Sequence, residues 1–343
     1  MNYRCLYFVA AIAALVSLAH GQAQPNWKVP RTPDGHPDFQ GAWANNIATP
    51  LERPKELAGR PLLTDAELAA MKKKARELFN NGNSDAAFGD TVFNAVFANV
   101  NGTRSGFKST DGETGDYSSV WTVERDWENR TSLITDPSDG RLPPITAEAA
   151  ARTAGQRALG TPVVSIGRAD QAQDRPLQER CITYGSPSLV AGYQSGYWIS
   201  QTRTAVIVVT EMIHDARVIP LQGGPHLPST VHQWLGDSRG HWEGDTLVVD
   251  TTNYKPRAFR NISSEKLHVM ERFTRTGPET LKYEITIDDP DTWTKPWSLM
   301  IPLRRSSDPY LEYACHEGNY GLAGVLAGAR AEERAAESGK QSK

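Results

Sequence analysis

The second half of the chain is a succession of segments that alternate apolar with polar residues. From Tyr197 onward these are YWISQT, AVIVVTEM, RVIPL, TLVVDTTN, KLHVMERFTR, TLKYEITID, WSLMIPLR and LEYAC. Alternation, or a run of β-branched residues, is the pattern of a strand with one buried face. Several connections are short: HDAR, GDSRG with WEGD, and RTGPET suit hairpins between successive antiparallel strands. About eight such strands in sequence order predict a meander that closes into a barrel or a strongly curled sheet. Barrels of that size enclose at most one small ligand. The expected class is mainly β with a few helices (α+β). Nine tryptophans, 22 prolines and 28 glycines favour turns and short strands over a helical bundle.

The region before the strands reads differently. Residues 22 to 62 are rich in proline and glycine, with VPRTPDGHPDFQGAW and IATPLERP as turn-laden stretches that wrap a surface. Thr64 and Glu67 form a capping box, and Leu68, Met71, Ala75 and Leu78 follow at helical spacing, which predicts a helix over 65–79. Residues 80 to 116 read as loop with one short helix. TSLITD is a short strand, and Thr146 caps an alanine-rich helix to about residue 158. The expected organisation is an irregular and helical wrapping region over 22–180, a barrel region over 181–325, and a helical or disordered tail over 326–343.

The N-terminus carries LYFVAAIAALVSL after a single basic residue, followed by small and polar residues. That is the layout of a secretory signal peptide, with cleavage expected after Gly21 or Ala23. The apolar run is shorter than the roughly 20 residues a membrane-spanning helix needs, and no later segment approaches that length. The expected product is exported, periplasmic or secreted, with no integral membrane segment. A net charge of −3 without basic clustering argues against nucleic acid as a partner. Of three cysteines, Cys5 falls in the leader, leaving Cys181 and Cys315. An oxidising compartment makes a disulfide between them the default, and closing so long a loop contributes on the order of 4 kcal/mol in the chain-entropy treatment.

Five segments carry a resemblance: TPDGHPDFQGAW, HQWLGDSRGHWEGDTLVVDTTN, LHVMERFTR, DPDTWTKPW and YACHEGNYGL. Together they resemble a large family of uncharacterised exported bacterial proteins. The resemblance implies a bacterial periplasm rather than a eukaryotic secretory route. It supplies no activity and no catalytic residues. Separately, FQGAW is similar to the G-x-W opening of lipocalins, mild support for a lipocalin-like barrel.

Candidate chemistry is narrowed by elimination. Six of the eight histidines, His214, His226, His232, His241, His268 and His316, fall in or beside the β region. None has the close spacing of a recognised zinc site, so no metal or other cofactor is expected. No G-x-S-x-G elbow is present, and a disulfide-bonded Cys315 is no nucleophile. Acid–base pairs remain. Glu211 and His214 lie at the end of an apolar strand, with Arg217 beyond them to hold an anionic group. Alternation puts Glu211 and His214 on opposite faces unless a bulge intervenes. His316 and Glu317 follow Cys315 directly, where a disulfide would fix the backbone beside a base and its orienting carboxylate. Each pair also has a plain structural reading, as a polar strand end or as a turn into a C-terminal helix. Trp234, flanked by His232, is the preferred ligand wall among the tryptophans.

Two functions follow from these residues. One is a periplasmic enzyme, a lyase, isomerase or hydrolase, acting on a small organic substrate by cofactor-independent acid–base chemistry. The other is a lipocalin-like binding protein for an apolar small molecule. Titratable groups converging on a cavity favour the first, a smooth apolar cavity the second, and an interior filled by side chains counts against both.

Overall fold

The computed structural model describes residues 27–79, 91–104, 123–157, 169–192, 195–307 and 311–341. The expected signal peptide lies outside the described residues, as does most of the loop expected over 80–116. Ten strands form one antiparallel sheet: β1 Gly41–Ala44, β2 Ile134–Asp136, β3 Gly196–Gln201, β4 Ala205–Thr210, β5 Ala216–Pro220, β6 Asp237–Glu243, β7 Thr246–Thr252, β8 His268–Gly277, β9 Thr280–Asp288 and β10 Trp297–Arg305. Nine follow the order β5-β4-β3-β1-β10-β9-β8-β7-β6, with β2 pairing on β10 beside that path. The meander is therefore spliced: β1, from the N-terminal region, is inserted between β3 and β10, so the sheet is not confined to residues 181–325.

The sheet curls until its two edges, β5 and β6, face each other across one unsealed seam. β5 is five residues long and ends in Pro220, which has no N–H to donate. On β6, Gly240 lets the opposite strand approach closely. A Cβ there would stand 2.8 Å from Ile219 Cγ2 and 3.0 Å from Leu221 Cδ2. Side-chain packing closes the seam where hydrogen bonds do not.

Period-two alternation fills the interior. Trp43, Tyr197, Ile199, Val206, Val208, Ile219, Leu247, Val249, Val269 and Phe273 all point inward and are buried, and β9 and β10 add Leu281, Tyr283, Ile285, Ile287, Trp297, Leu299, Ile301 and Leu303. The barrel is thus a packed core over most of its length.

Helices α1 (Asp65–Phe79), α2 (Thr91–Val100), α3 (Ala147–Arg157) and α4 (Tyr320–Gln341) complete the fold. α1 has the expected box: Thr64 N donates to Glu67 Oε2 at 2.8 Å, and Glu67 N to Thr64 Oγ1 at 3.2 Å. Its Met71 and Ala75 pack with Leu57, Leu63, Phe93 and Val96 in a second, smaller core. Thr146 caps α3 through the Ala149 amide at 3.0 Å. Two expectations about strands are corrected. LEYAC does not form a strand, because the chain turns at Cys315 to enter α4. DSRGHWE, expected as a connection, is the strand β6. Its inward positions are Ser238, Gly240 and the half-buried Trp242, so it lacks the run of apolar alternation that marks the others.

Candidate functional site

The two ends of the barrel differ. At one, β3–β4, β6–β7 and β8–β9 are joined by tight turns. At the other, long segments over 253–267 and 289–296 leave and re-enter the sheet, and 222–236, which leaves β5 at the tight-turn end, crosses to rejoin the sheet there at β6. Long connections on a rigid scaffold are where binding and catalytic groups concentrate.

At the long-loop end a narrow mouth is lined by Ser186, Ser188, Thr210, Asp215, Leu235 and Arg217, among others, with Tyr197, Phe273 and Tyr283 as its inner wall. Its free volume is about 20 Å³, room for a group the size of one water molecule. Arg217 enters from β5 and Glu271 from β8, both on inward positions, with residue exposures of 8% and 0%. The guanidinium holds the carboxylate with both terminal nitrogens, Nη2 donating to Oε1 at 2.7 Å and Nη1 to Oε2. Tyr283 donates its hydroxyl to the same carboxylate. Burial alone would depress the Arg217 pKa, but the charge and hydrogen bonds of Glu271 outweigh it and hold the guanidinium firmly protonated. Burial, then the nearby Glu271 charge, pushes the Tyr283 and Tyr254 hydroxyls up. Tyr197 is raised first by burial as well, and donates to Ser188 O at 2.6 Å.

The rim is built from strained and tethered backbone. Ile213 and His214, in the β4–β5 turn, have φ of 61° and 47°, the left-handed region that a β-branched residue rarely adopts. Such strain persists only where surrounding structure enforces it, and it is concentrated at functional sites. Beside it, Asp215 accepts from Thr183 Oγ1 at 2.7 Å and from Tyr184 N at 3.0 Å, both through Oδ2. Burial raises its carboxyl above the ordinary carboxylate value, against the lowering pull of those two donors and of His214. Residues 183–188 are thereby pinned over the mouth. They follow directly on Cys181, which is joined to Cys315 with a Cα–Cα separation of 5.7 Å. Asn319 reinforces the junction by donating to Glu179 O at 2.7 Å.

Of the residues singled out in the sequence, Arg217 lines the mouth. Glu211 and His214 stand on its rim with separate partners: Glu211 Oε2 accepts from Gly196 N at 3.1 Å, and His214 Nδ1 lies 3.0 Å from Tyr313 O. His316 and Glu317 are exposed in the turn before α4 and are not among the residues lining the mouth. His232 Nδ1 bonds Tyr254 O at 3.0 Å, and Trp234 packs half-buried on the core with Lys255 Nζ 4.8 Å over its ring. Neither lines the mouth, although their neighbour Leu235 does.

Sequence reasoning missed Glu271 and passed over Asp215. Glu271 sits in phase with Val269 and Phe273 in HVMERF, so alternation alone marks it as an inward carboxylate. Arg217 is likewise in phase with Ile219. A third group, on the outer face at this end, is a hydrogen-bonded chain. His226 Nδ1 contacts Asp237 Oδ2 at 2.9 Å and its Nε2 lies 3.3 Å from Asp250 Oδ1, which also bonds His268 Nε2 at 3.0 Å. Among the described residues, no three His, Cys, Asp or Glu side chains are placed to share a metal ion. No described helix is long and apolar enough to cross a membrane.

No protein-family model, no curated protein and no solved structure matches the chain.

Proposed function

We propose that the protein is an exported bacterial enzyme that acts on a small organic molecule by cofactor-independent acid–base chemistry at the long-loop end of the barrel. The observation that carries this reading is Asp215. It lines the mouth, burial raises its carboxyl above the ordinary carboxylate value, and Thr183 and Tyr184 fix one of its oxygens. Asp215 is the proton-transferring group in this scheme. His214 tunes it from the adjacent position, and Arg217 with its paired Glu271 forms a polar floor. His316, Glu317 and Glu211 belong to the outer rim. The Cys181–Cys315 bond supports export, since such bonds persist in oxidising compartments.

The binding-protein reading draws on the barrel shape alone. The interior is filled, and a free volume of about 20 Å³ leaves an apolar ligand to displace core side chains. The same filling counts against an enzyme that encloses its substrate, so the proposal is confined to a substrate that presents only a small reacting group to the mouth.

The test is a panel of small hydroxy, keto and ester compounds incubated with the mature protein in deuterated water and followed by proton NMR. Turnover or C–H exchange of at least one compound is expected. Asp215→Asn should lower its rate by roughly 10²-fold or more with the fold retained, the usual contribution of a positioned base. Full activity in that variant would remove Asp215 from the scheme, and full loss in His316→Ala would move the base to the outer rim.

A further inference from the structure

At the opposite, tight-turn end lies a second and larger cavity, of about 310 Å³, a volume at the lower limit of small-molecule sites. It opens beside the unsealed seam. Leu221, just past β5, and Trp242, on β6, stand on its two sides, and the N-terminal segment TPDGH crosses over it. That segment is a fixed turn. Gly35 N donates to Thr32 O at 2.8 Å, Thr32 N to His36 O at 2.9 Å, and Gly35 takes φ of 82° where a side chain would be strained. Gln201 clamps it to the sheet, accepting from Phe39 N at 2.6 Å and donating to Pro37 O at 3.0 Å. Arg31 adds an ion pair with Asp245 at 2.7 Å.

The lining has a mixed character. The imidazole of His36 stacks on the indole of Trp242, with centroids 4.8 Å apart and planes 6° from parallel. Together with Pro33 and Leu221 they make an apolar, ring-shaped wall. Around it stand Asp34, Gln40, Thr32 and Thr202. Asp34 is engaged through Oδ1 with Arg203 at 3.3 Å, so the pair is close to neutral. Trp242 Nε1 is buried and has no hydrogen-bond partner among the described residues. That N–H has no exposed surface, so it lies behind the wall, and the cavity meets the ring of Trp242 rather than its donor.

We propose that this cavity binds a neutral, hydroxyl-bearing ring of monosaccharide size. The apolar face of such a ring packs on the His36–Trp242 wall. Its hydroxyl groups, each both donor and acceptor, meet the Asp34 carboxylate, the Gln40 amide and the Thr32 and Thr202 hydroxyls. A strongly charged ligand finds no uncompensated opposite charge here. The site is on the far end of the barrel from Asp215 and stands independently of the catalytic reading.

The experiment titrates the mature protein with D-glucose, D-galactose, N-acetyl-D-glucosamine and their β-linked disaccharides, read by calorimetry and tryptophan fluorescence. Saturable binding of at least one is expected. Trp242→Phe shortens the aromatic wall that stacks on His36, and Gln40→Ala removes an exposed amide from the cavity lining. Each should raise Kd by tenfold or more with the thermal midpoint within a few degrees of wild type, whereas Asp215→Asn should leave Kd unchanged. Absence of saturable binding by all of these sugars up to roughly 50 mM, or a Kd unmoved in both cavity variants, overturns the proposal.

Discussion

Glu271 is a fully buried charge held by two partners, Arg217 and Tyr283, and its behaviour on substitution is predictable from its surroundings. It is fully buried and compensates Arg217, which is itself nearly so. Replacing Glu271 with Gln removes the negative charge and leaves a buried guanidinium unpaired, which should cost about 3–5 kcal/mol in urea unfolding. Because a buried pair is only weakly favourable against apolar groups of similar volume, the combined Arg217→Met, Glu271→Leu, Tyr283→Phe variant should recover most of that loss. A Glu271→Gln variant as stable as wild type would mean that the guanidinium finds solvent or another partner through the mouth. The same scale contains a pH prediction at α1. Hydrogen bonds from Arg60 and Thr64 lower the Glu67 carboxyl to about 2. A carboxylate depressed in the folded state stabilises above its unfolded pKa, near 4.3, and loses that contribution as pH falls toward 2. The stability gap between wild type and Glu67→Ala should therefore be present at pH 7, shrink between about pH 4 and pH 2, and leave only the change in helix propensity below that.

Among the elements, the seam is where local sequence decides the closure of the whole sheet. Gly240 admits Ile219 and Leu221 with no room for a methyl group. Gly240→Ala should cost about 1–3 kcal/mol by overpacking and should raise amide exchange in β5 and β6 while β8 and β9 keep theirs. An exchange map that changes evenly around the barrel would show that the seam is not a separate weak point. The elements also show what could be read in advance. The capping box, the Thr146 cap and the long alternating strands β8, β9 and β10 follow from neighbours a few residues apart, and all were legible. β6 was not, because two of its three inward positions are serine and glycine, and Gly240 gains its burial from Ile219 and Leu221 across the seam rather than from an apolar side chain of its own. β1 was also hidden, since a four-residue strand is placed between β3 and β10 by pairing partners more than a hundred residues away. The site followed the same rule: Arg217 was accessible from strand position, whereas Asp215 depends on a tertiary contact with Thr183 that no local pattern encodes.

For the molecule as a whole, the disulfide links the wrapping region to the chain that leaves the barrel. Cys181 and Cys315 are separated by 134 residues, so the bond removes on the order of 4–5 kcal/mol of chain entropy from the unfolded state in the loop-closure treatment. In the native state it acts locally, because it anchors the start of the 183–188 segment that forms one wall of the mouth and the turn from which α4 departs. A Cys181→Ser, Cys315→Ser double variant should thus show two separable effects. Its thermal midpoint should fall by several degrees, in line with a few kcal/mol for a chain of this size. Hydrogen exchange should rise first over 177–190, 211–215 and 311–320, the segments joined through Cys181, Asp215 and His214, while β8, β9 and β10 retain protection up to global unfolding. If turnover at the mouth is then measured with a substrate found for wild type, it should fall with the local loosening at temperatures well below the midpoint. Turnover that stays constant until the barrel itself melts would separate the disulfide from the mouth and leave it a role in stability alone.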